Sequence, residues 1–314
     1  LAIMTQWYGN YRFSKKDDVT LFNSDMVLYF LDNYMQEKEL PDDLIDANVR
    51  VDYGKLRHLI TADRGRSKPP AANGNFGKLK EIIEEGGTSS KIVKGFPLEK
   101  LKEPGNFKSL LFYLGLLTIK YPEKNKLRLE IPNETVKRLY YDYIEEAYRE
   151  TGLFNLDLDK YANLMTDMAY DGKWEPLIDY IAGRMRESMS LRDLVTGEKS
   201  LQAFLNVYLG LSDLFILHSE KEMNKGYADI VMEPFTARYE GIKYGYLVEL
   251  KYIKAGEGKK NSAGSIKKLK AEAAEQLKNY SIDEKYGKSM ENTQLIKISL
   301  IFSGHKLVDS VEVR

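Results

Sequence analysis

Three residues in the last third of the chain could do hydrolytic chemistry together: Asp229, Glu249 and Lys251. Asp229 follows Gly226 in "NKGYADIVMEP", and Glu249 and Lys251 stand two apart in "YGYLVELKYI". In a strand, a spacing of two puts side chains on one face. Leu247, Val248, Leu250 and Ile253 around them are apolar, so both faces of this strand are expected to be covered. Charged groups there are costly unless they serve each other or bind something. The stretch from Phe235 to Lys243 is long enough to turn the chain back, so the two strands can pair antiparallel and bring Asp229 towards Glu249. Two carboxylates at one point make an oxygen-rich site for Mg²⁺ or Mn²⁺. Such an ion lowers the pKa of a bound water and offsets phosphate charge. Lys251 would then orient the water or steady the charge of the transition state. The plain alternative is a salt-bridged strand, because Glu-x-Lys is common in ordinary sheets. The Asp twenty residues before Glu249, in a strand–turn–strand context, lifts the pattern above that alternative.

These residues need a sheet to hold them. Segments 214–220, 228–234, 244–253 and 294–303 read as strands, interrupted by a helix over 264–280. A helix over 198–211 precedes them, with Leu201, Phe204, Leu205, Tyr208 and Leu209 at helical spacing. The order helix, three strands, helix, strand predicts an α/β domain with a mixed sheet flanked by helices. Upstream, helices are expected over 24–36, capped by Asn23 or Ser24, and near 54–62. Residues 63–75 hold two prolines and two glycines and read as a loop. Residues 76–95 read as helix and then extended chain, and 107–119 as a buried helix running into a strand. An alternating strand follows, with Leu127, Leu129 and Ile131 on one face, and then a helix over 133–150. Helix, hairpin and helix suggest a winged-helix-like unit, an arrangement that binds DNA in some proteins and protein in others. Residues 155–190 read as two amphipathic helices broken at Trp174-Glu175-Pro176. The chain thus divides into a mostly helical, winged-helix-like connector region over 1–150, a helical linker over 151–195 and the α/β domain over 196–314.

Composition narrows the chemistry. The 314 residues include no cysteine and only three histidines, His58, His218 and His305. Disulfides, thiolate metal sites and cysteine nucleophiles are excluded, and Ser-His-Asp machinery is poorly supplied. Carboxylates, lysines or oxygen-ligated metal must carry any catalysis. No run approaches the roughly 18–20 apolar residues of a membrane span, and no secretory signal is visible, so a cytoplasmic place away from membranes is expected. The chain opens on Leu1 rather than Met, which leaves room for an upstream part. The 47 basic residues balance 47 acidic ones, so any nucleic-acid footprint must be local. Lys251, Lys254, Lys259, Lys260, Lys267, Lys268 and Lys270 could track a phosphate backbone, or could be solvated charge around a loop. The 22 tyrosines spread along the whole chain and point to no function.

Asp229 ahead of Glu249-Leu250-Lys251 resembles the PD-(D/E)xK nuclease superfamily, in which an Asp precedes Glu-x-Lys on the adjoining strand. "GEKSLQAFLNVYLGLSD", "SEKEMNKGYADIVMEPF" and "YGYLVELKYIK" look like the nuclease-like domain that follows an AAA-ATPase-like domain in many bacterial proteins. "WYGNYRF", "FNSDMVLYFL", "NFKSLLFYLGLLTI" and "IPN" resemble the segments between those two domains. The resemblance implies a restriction-endonuclease-like fold over 196–314 and a Mg²⁺-dependent nuclease acting on DNA or RNA, with DNA favoured. It also implies an ATPase-like domain upstream as a partner. This chain has no Gly-x-x-x-x-Gly-Lys-Ser/Thr loop, so it is not expected to bind ATP. Superfamily members often add an acid on the preceding helix. Glu198 is the candidate, with Gln202 one turn later on the same face, and a role at the helix N-terminus competes with that reading. Glu220 and Glu222 are further acids, expected to be solvated. The helix after the core strand often adds a polar residue, and Gln276 in "AEAAEQLKNY" fits, against the bland reading of a surface glutamine. Of the histidines, His218 lies nearest the site. Two other readings stay open. One is a catalytically silent nuclease-like module that binds or regulates an ATPase domain. The other is a winged-helix DNA binder whose C-terminal domain only forms a homodimer.

Overall fold

The computed structural model of the protein describes residues 1–313 apart from 17, 50–74, 96, 98–99, 101–103, 151, 189–190, 192–193, 224–225, 255–262 and 281–292. The chain divides into two compact units, Leu1–Ala147 and Tyr148–Arg314.

The first unit opens with α1 (Ala2–Tyr8) and α2 (Ser24–Glu37). Asn23 caps α2: its Oδ1 accepts from Met26 N at 3.1 Å, which satisfies an N–H that the helix itself leaves free. Met26 and Phe30, one turn apart, form its buried stripe. Next come α3 (Asn75–Glu84), β1 (Gly87–Ser90), α4 (Pro104–Tyr113), β2 (Thr118–Glu123), β3 (Lys126–Glu130) and α5 (Glu134–Glu150). β2 and β3 form an antiparallel hairpin, and β1 runs antiparallel along the other edge of β3. The expected run of helix, hairpin and helix is therefore present. Leu127 and Leu129 are buried, whereas Ile131 lies just past the end of β3. The helix expected near 54–62 and residues 63–74 of the expected loop fall outside the described residues, while Asn75 begins α3.

The second unit contains α6 (Leu158–Asp171) and α7 (Glu175–Glu187). Between them Gly172 adopts φ 74°, and a Cβ there would lie 3.0 Å from the Tyr244 ring. The left-handed turn and the close approach both call for glycine. Pro176 sits in the first turn of α7, where its missing N–H costs nothing. The stretch 151–195, expected as a linker, packs within this unit. The Tyr246 hydroxyl donates to Met168 O at 2.5 Å, and Lys243 N donates to Ala169 O at 3.2 Å.

The remaining elements are α8 (Glu198–Leu209), β4 (Phe215–Met223), β5 (Gly226–Pro234), β6 (Tyr244–Ile253), α9 (Ala263–Tyr280), β7 (Gln294–Ser303) and β8 (Lys306–Glu312). They build a mixed sheet in the order β4-β5-β6-β7-β8, in which β6 and β7 are parallel and the other pairs antiparallel. Tyr246, Leu247, Val248 and Leu250 on β6 are all buried, so the strand is covered on both faces, as its near-continuous apolar run predicts. The α9 crossover joins the two parallel strands and packs Leu277 and Tyr280 in one cluster with Val231 and Leu247. α8 lies against β4, β5 and β6. The sheet and its flanking helices match the expected architecture, with one addition. Strand β8 was not expected. It returns through a tight turn at Gly304 (φ 60°), and its edge position leaves most of its residues only half covered, so its sequence shows no apolar run. No helix among the described residues is long and apolar enough to cross a membrane.

Candidate active site

Asp229 stands where the β5–β6 ladder stops. The two strands pair over Ile230–Met232 and Tyr246–Val248. One step further would set Asp229 opposite Glu249, but the backbones no longer pair there. The Asp229 side chain takes over: its Oδ2 accepts from Leu250 N at 2.7 Å. From the other side, Gln202 on α8 donates its Nε2 to the Asp229 carbonyl at 2.5 Å. The carboxylate is thus tied to β6 and its backbone to α8.

Glu249 is only 2% exposed. Its Oε1 accepts from Lys251 Nζ at 2.7 Å, the contact that a spacing of two on one strand face allows. Its Oε2 is buried without a hydrogen-bond partner. Buried polar atoms are nearly always bonded, so an orphaned carboxylate oxygen calls for a physical explanation. Burial, then the charge of Asp229, pushes Glu249 up to about 7, against the pull of Lys251. Burial likewise pushes Asp229 up to about 6; the Leu250 N–H opposes this and the charge of Glu198 adds to it. For Lys251, burial favours the neutral amine. The hydrogen bond and charge of Glu249, with Asp229 and Glu198 behind them, outweigh it, and the ammonium is held above its ordinary range. The site therefore has more negative charge than its single lysine can balance.

The family model of the PD-(D/E)XK nuclease superfamily matches residues 196–312. This segment is a PD-(D/E)XK domain. No curated protein matches the chain. Nucleases of the superfamily typically use divalent metal ions. The donor set of this PD-(D/E)XK domain fits such an ion, because both side chains are oxygen donors with net negative charge and one oxygen is unpartnered. Among the described residues, no group of three or more His, Asp or Glu side chains is arranged to hold a metal. Asp229 and Glu249 are thus a pair rather than a full cage.

The other expected residues of the PD-(D/E)XK domain fall into place unevenly. Glu198 is exposed in the first turn of α8, and its charge reaches Asp229, Glu249 and Lys251. The capping that competed for it is done by Ser200, whose Oγ accepts from Thr196 N and Gly197 N, each at 3.0 Å. Gln276 donates to the Tyr280 hydroxyl at 3.4 Å. Sequence reasoning missed Tyr280. This buried residue feels the charge of Glu249, after burial itself, as an upward push on its hydroxyl. It lies four residues after Gln276, a spacing that marks one helix face. Glu220 and Glu222 are exposed, as expected, although Glu220 sits at a register break with φ 47° and its charge reaches Asp229. His218 belongs elsewhere: its Nε2 lies 3.0 Å from Glu233 Oε2. The lysine run also separates. Lys251 pairs with Glu249, Lys270 with Asp309 at 2.7 Å and Lys268 with Glu272 at 3.6 Å. Lys254 and Lys267 are exposed, and Lys259 and Lys260 lie outside the described residues.

Proposed function

We propose that the C-terminal domain is a divalent-cation-dependent nuclease that hydrolyses phosphodiester bonds of DNA. The observation that carries this reading is the Glu249 carboxylate, buried, held by Lys251 through one oxygen and open at the other, with Asp229 beside it. Asp229 and Glu249 would hold Mg²⁺ or Mn²⁺, which supplies Lewis acidity towards the phosphate and lowers the pKa of water. Lys251 keeps its proton and sets a positive charge where negative charge develops on the phosphate. Asp229 is anchored twice, so its carboxylate needs no rearrangement during the reaction. Tyr280 and the buried flank of α9 cover the site and keep water from screening these charges. Exposed Lys254 and Lys267 supply positive charge for a phosphate backbone. The test is nicking of supercoiled plasmid DNA in Mg²⁺ by the wild type, Asp229→Ala and Lys251→Ala. Each substitution is expected to lower the rate on the order of 10²–10³-fold. Equal activity in all three proteins would sink the reading.

One observation favours a second reading: no third acidic or histidine side chain joins Asp229 and Glu249 among the described residues. On that reading the domain is catalytically silent and serves as a binding or regulatory module for an ATPase-like domain. Titration with Mn²⁺ separates the two, because a silent module gives no binding heat.

A further inference from the structure

Ser299 on β7 is the register partner of Glu249 across the parallel β6–β7 pair. Residues in register on neighbouring strands point to the same face of a sheet. Ser299 therefore shares the face that carries Glu249 and Lys251. It is fully buried, and its Oγ has no hydrogen-bond partner. The same is true of Glu249 Oε2. Two orphaned oxygens thus sit on adjacent strands of one face, inside a strand whose next residues, Leu300, Ile301 and Phe302, are all buried and apolar. A buried hydroxyl without a partner costs stability, and alanine would avoid that cost at no loss of packing partners. The two orphans are chemically complementary: a serine hydroxyl can donate, whereas an ionised carboxylate only accepts.

We propose that Ser299 is a positioning residue for Glu249. When a divalent cation is bound, the Ser299 hydroxyl donates to one lone pair of Glu249 Oε2 and leaves the other free for the ion, while Lys251 fixes Oε1. This inference rests on the reading of Asp229 and Glu249 as cation ligands. Lys251 alone leaves the carboxylate free to swing about its bonded oxygen. A second hydrogen bond removes that freedom, and such partners of ligating carboxylates typically contribute 10–100-fold to metal affinity.

The experiment is calorimetric titration of the full chain with Mn²⁺ alone, alongside thermal denaturation of the metal-free proteins. The variants are Ser299→Ala and Ser299→Thr. Ser299→Ala is expected to melt at the same temperature or higher, because it removes an unpaired buried hydroxyl, yet to bind Mn²⁺ roughly tenfold or more weakly. Ser299→Thr keeps the hydroxyl and restores affinity. Equal Mn²⁺ affinity in the wild type and Ser299→Ala overturns the role of Ser299 and leaves the cation site standing. Loss of stability and affinity together in Ser299→Ala, unrepaired by Ser299→Thr, shows a packing role and also overturns it. A wild type that binds no Mn²⁺ removes the site itself, and this inference with it.

Discussion

Strand β5 carries two acidic residues that share a parity but have opposite fates. Glu233 accepts from His218 at 3.0 Å and lies 3.4 Å from Lys221, both on the neighbouring β4. Burial alone would raise its pKa, but the His218 hydrogen bond and the Lys221 charge outweigh it and hold the carboxyl below its ordinary range. Four residues earlier, about 13 Å along the strand, Asp229 shares one lysine with Glu249, and both carboxylates are pushed up. The difference is a matter of counting. One carboxylate faces two basic side chains in the first cluster, and two carboxylates face one in the second. The first cluster is electrostatically complete. The second lacks positive charge, and a divalent cation would supply it.

The largest expected effect divides the two clusters by activity. Glu249→Gln is expected to lower Mg²⁺-dependent plasmid nicking on the order of 10²-fold or more, because it removes a charge from the oxygen pair. Glu233→Gln, made in the same sheet, is expected to leave nicking unchanged. If the two variants lose activity equally, the sheet as a whole is sensitive, and the contrast between its clusters carries no functional meaning.

How far the sequence announces this contrast depends on the distance between partners. Glu249 and Lys251 are visible because two polar residues interrupt an apolar run at a spacing of two, and that spacing alone brings Nζ to Oε1. Asp229 is visible through its turn and its distance from Glu-x-Lys. Its bond to Leu250 N is not, because that depends on where the β5–β6 ladder stops, which packing decides. Gln202 can be placed on the correct helix face, but its hold on the Asp229 carbonyl requires knowing which strand lies beneath α8. Strand β8 escapes notice because an edge strand needs no buried run. Ser299 leaves a faint signal, a small polar residue inside the apolar run "ISLIF", whose meaning appears only with the β6–β7 register.

A smaller effect should appear in stability, with opposite signs at the two clusters. In the metal-free protein, Asp229→Asn keeps an oxygen for the Leu250 N–H and removes a repelling charge, so it should raise unfolding free energy by about 1 kcal/mol. Glu233→Gln keeps an amide oxygen but removes the negative charge that His218 and Lys221 share. These side chains are partly open to water, so it should lower unfolding free energy by about 1 kcal/mol or less. Urea denaturation in the presence of a chelator measures both. Changes of the same sign would mean that the Asp229 carboxylate is not under repulsion and that the comparison of clusters is wrong.

The smallest effect is the pH dependence of that difference. Asp229 and Glu249 have raised folded-state pKa values, about 6 and about 7, against ordinary carboxylate values in the unfolded chain. The folded protein therefore holds protons that the unfolded chain has already released. The stability from this pair is fully present below about pH 4 and is lost as pH rises towards 7. Glu233 behaves oppositely. Its pKa is lowered by folding, so its contribution is present above the ordinary carboxylate range and is lost as pH falls through the lowered value. The stability gap between Asp229→Asn and the metal-free wild type should thus widen from about pH 4 to about pH 7 and then level off. Saturating Mn²⁺ should reverse the gap above neutral pH, because the ion stabilises only a protein that can bind it. A gap that stays constant with pH would show that the carboxylates titrate normally, and the excess of negative charge at this end of β5 would then have no measurable consequence.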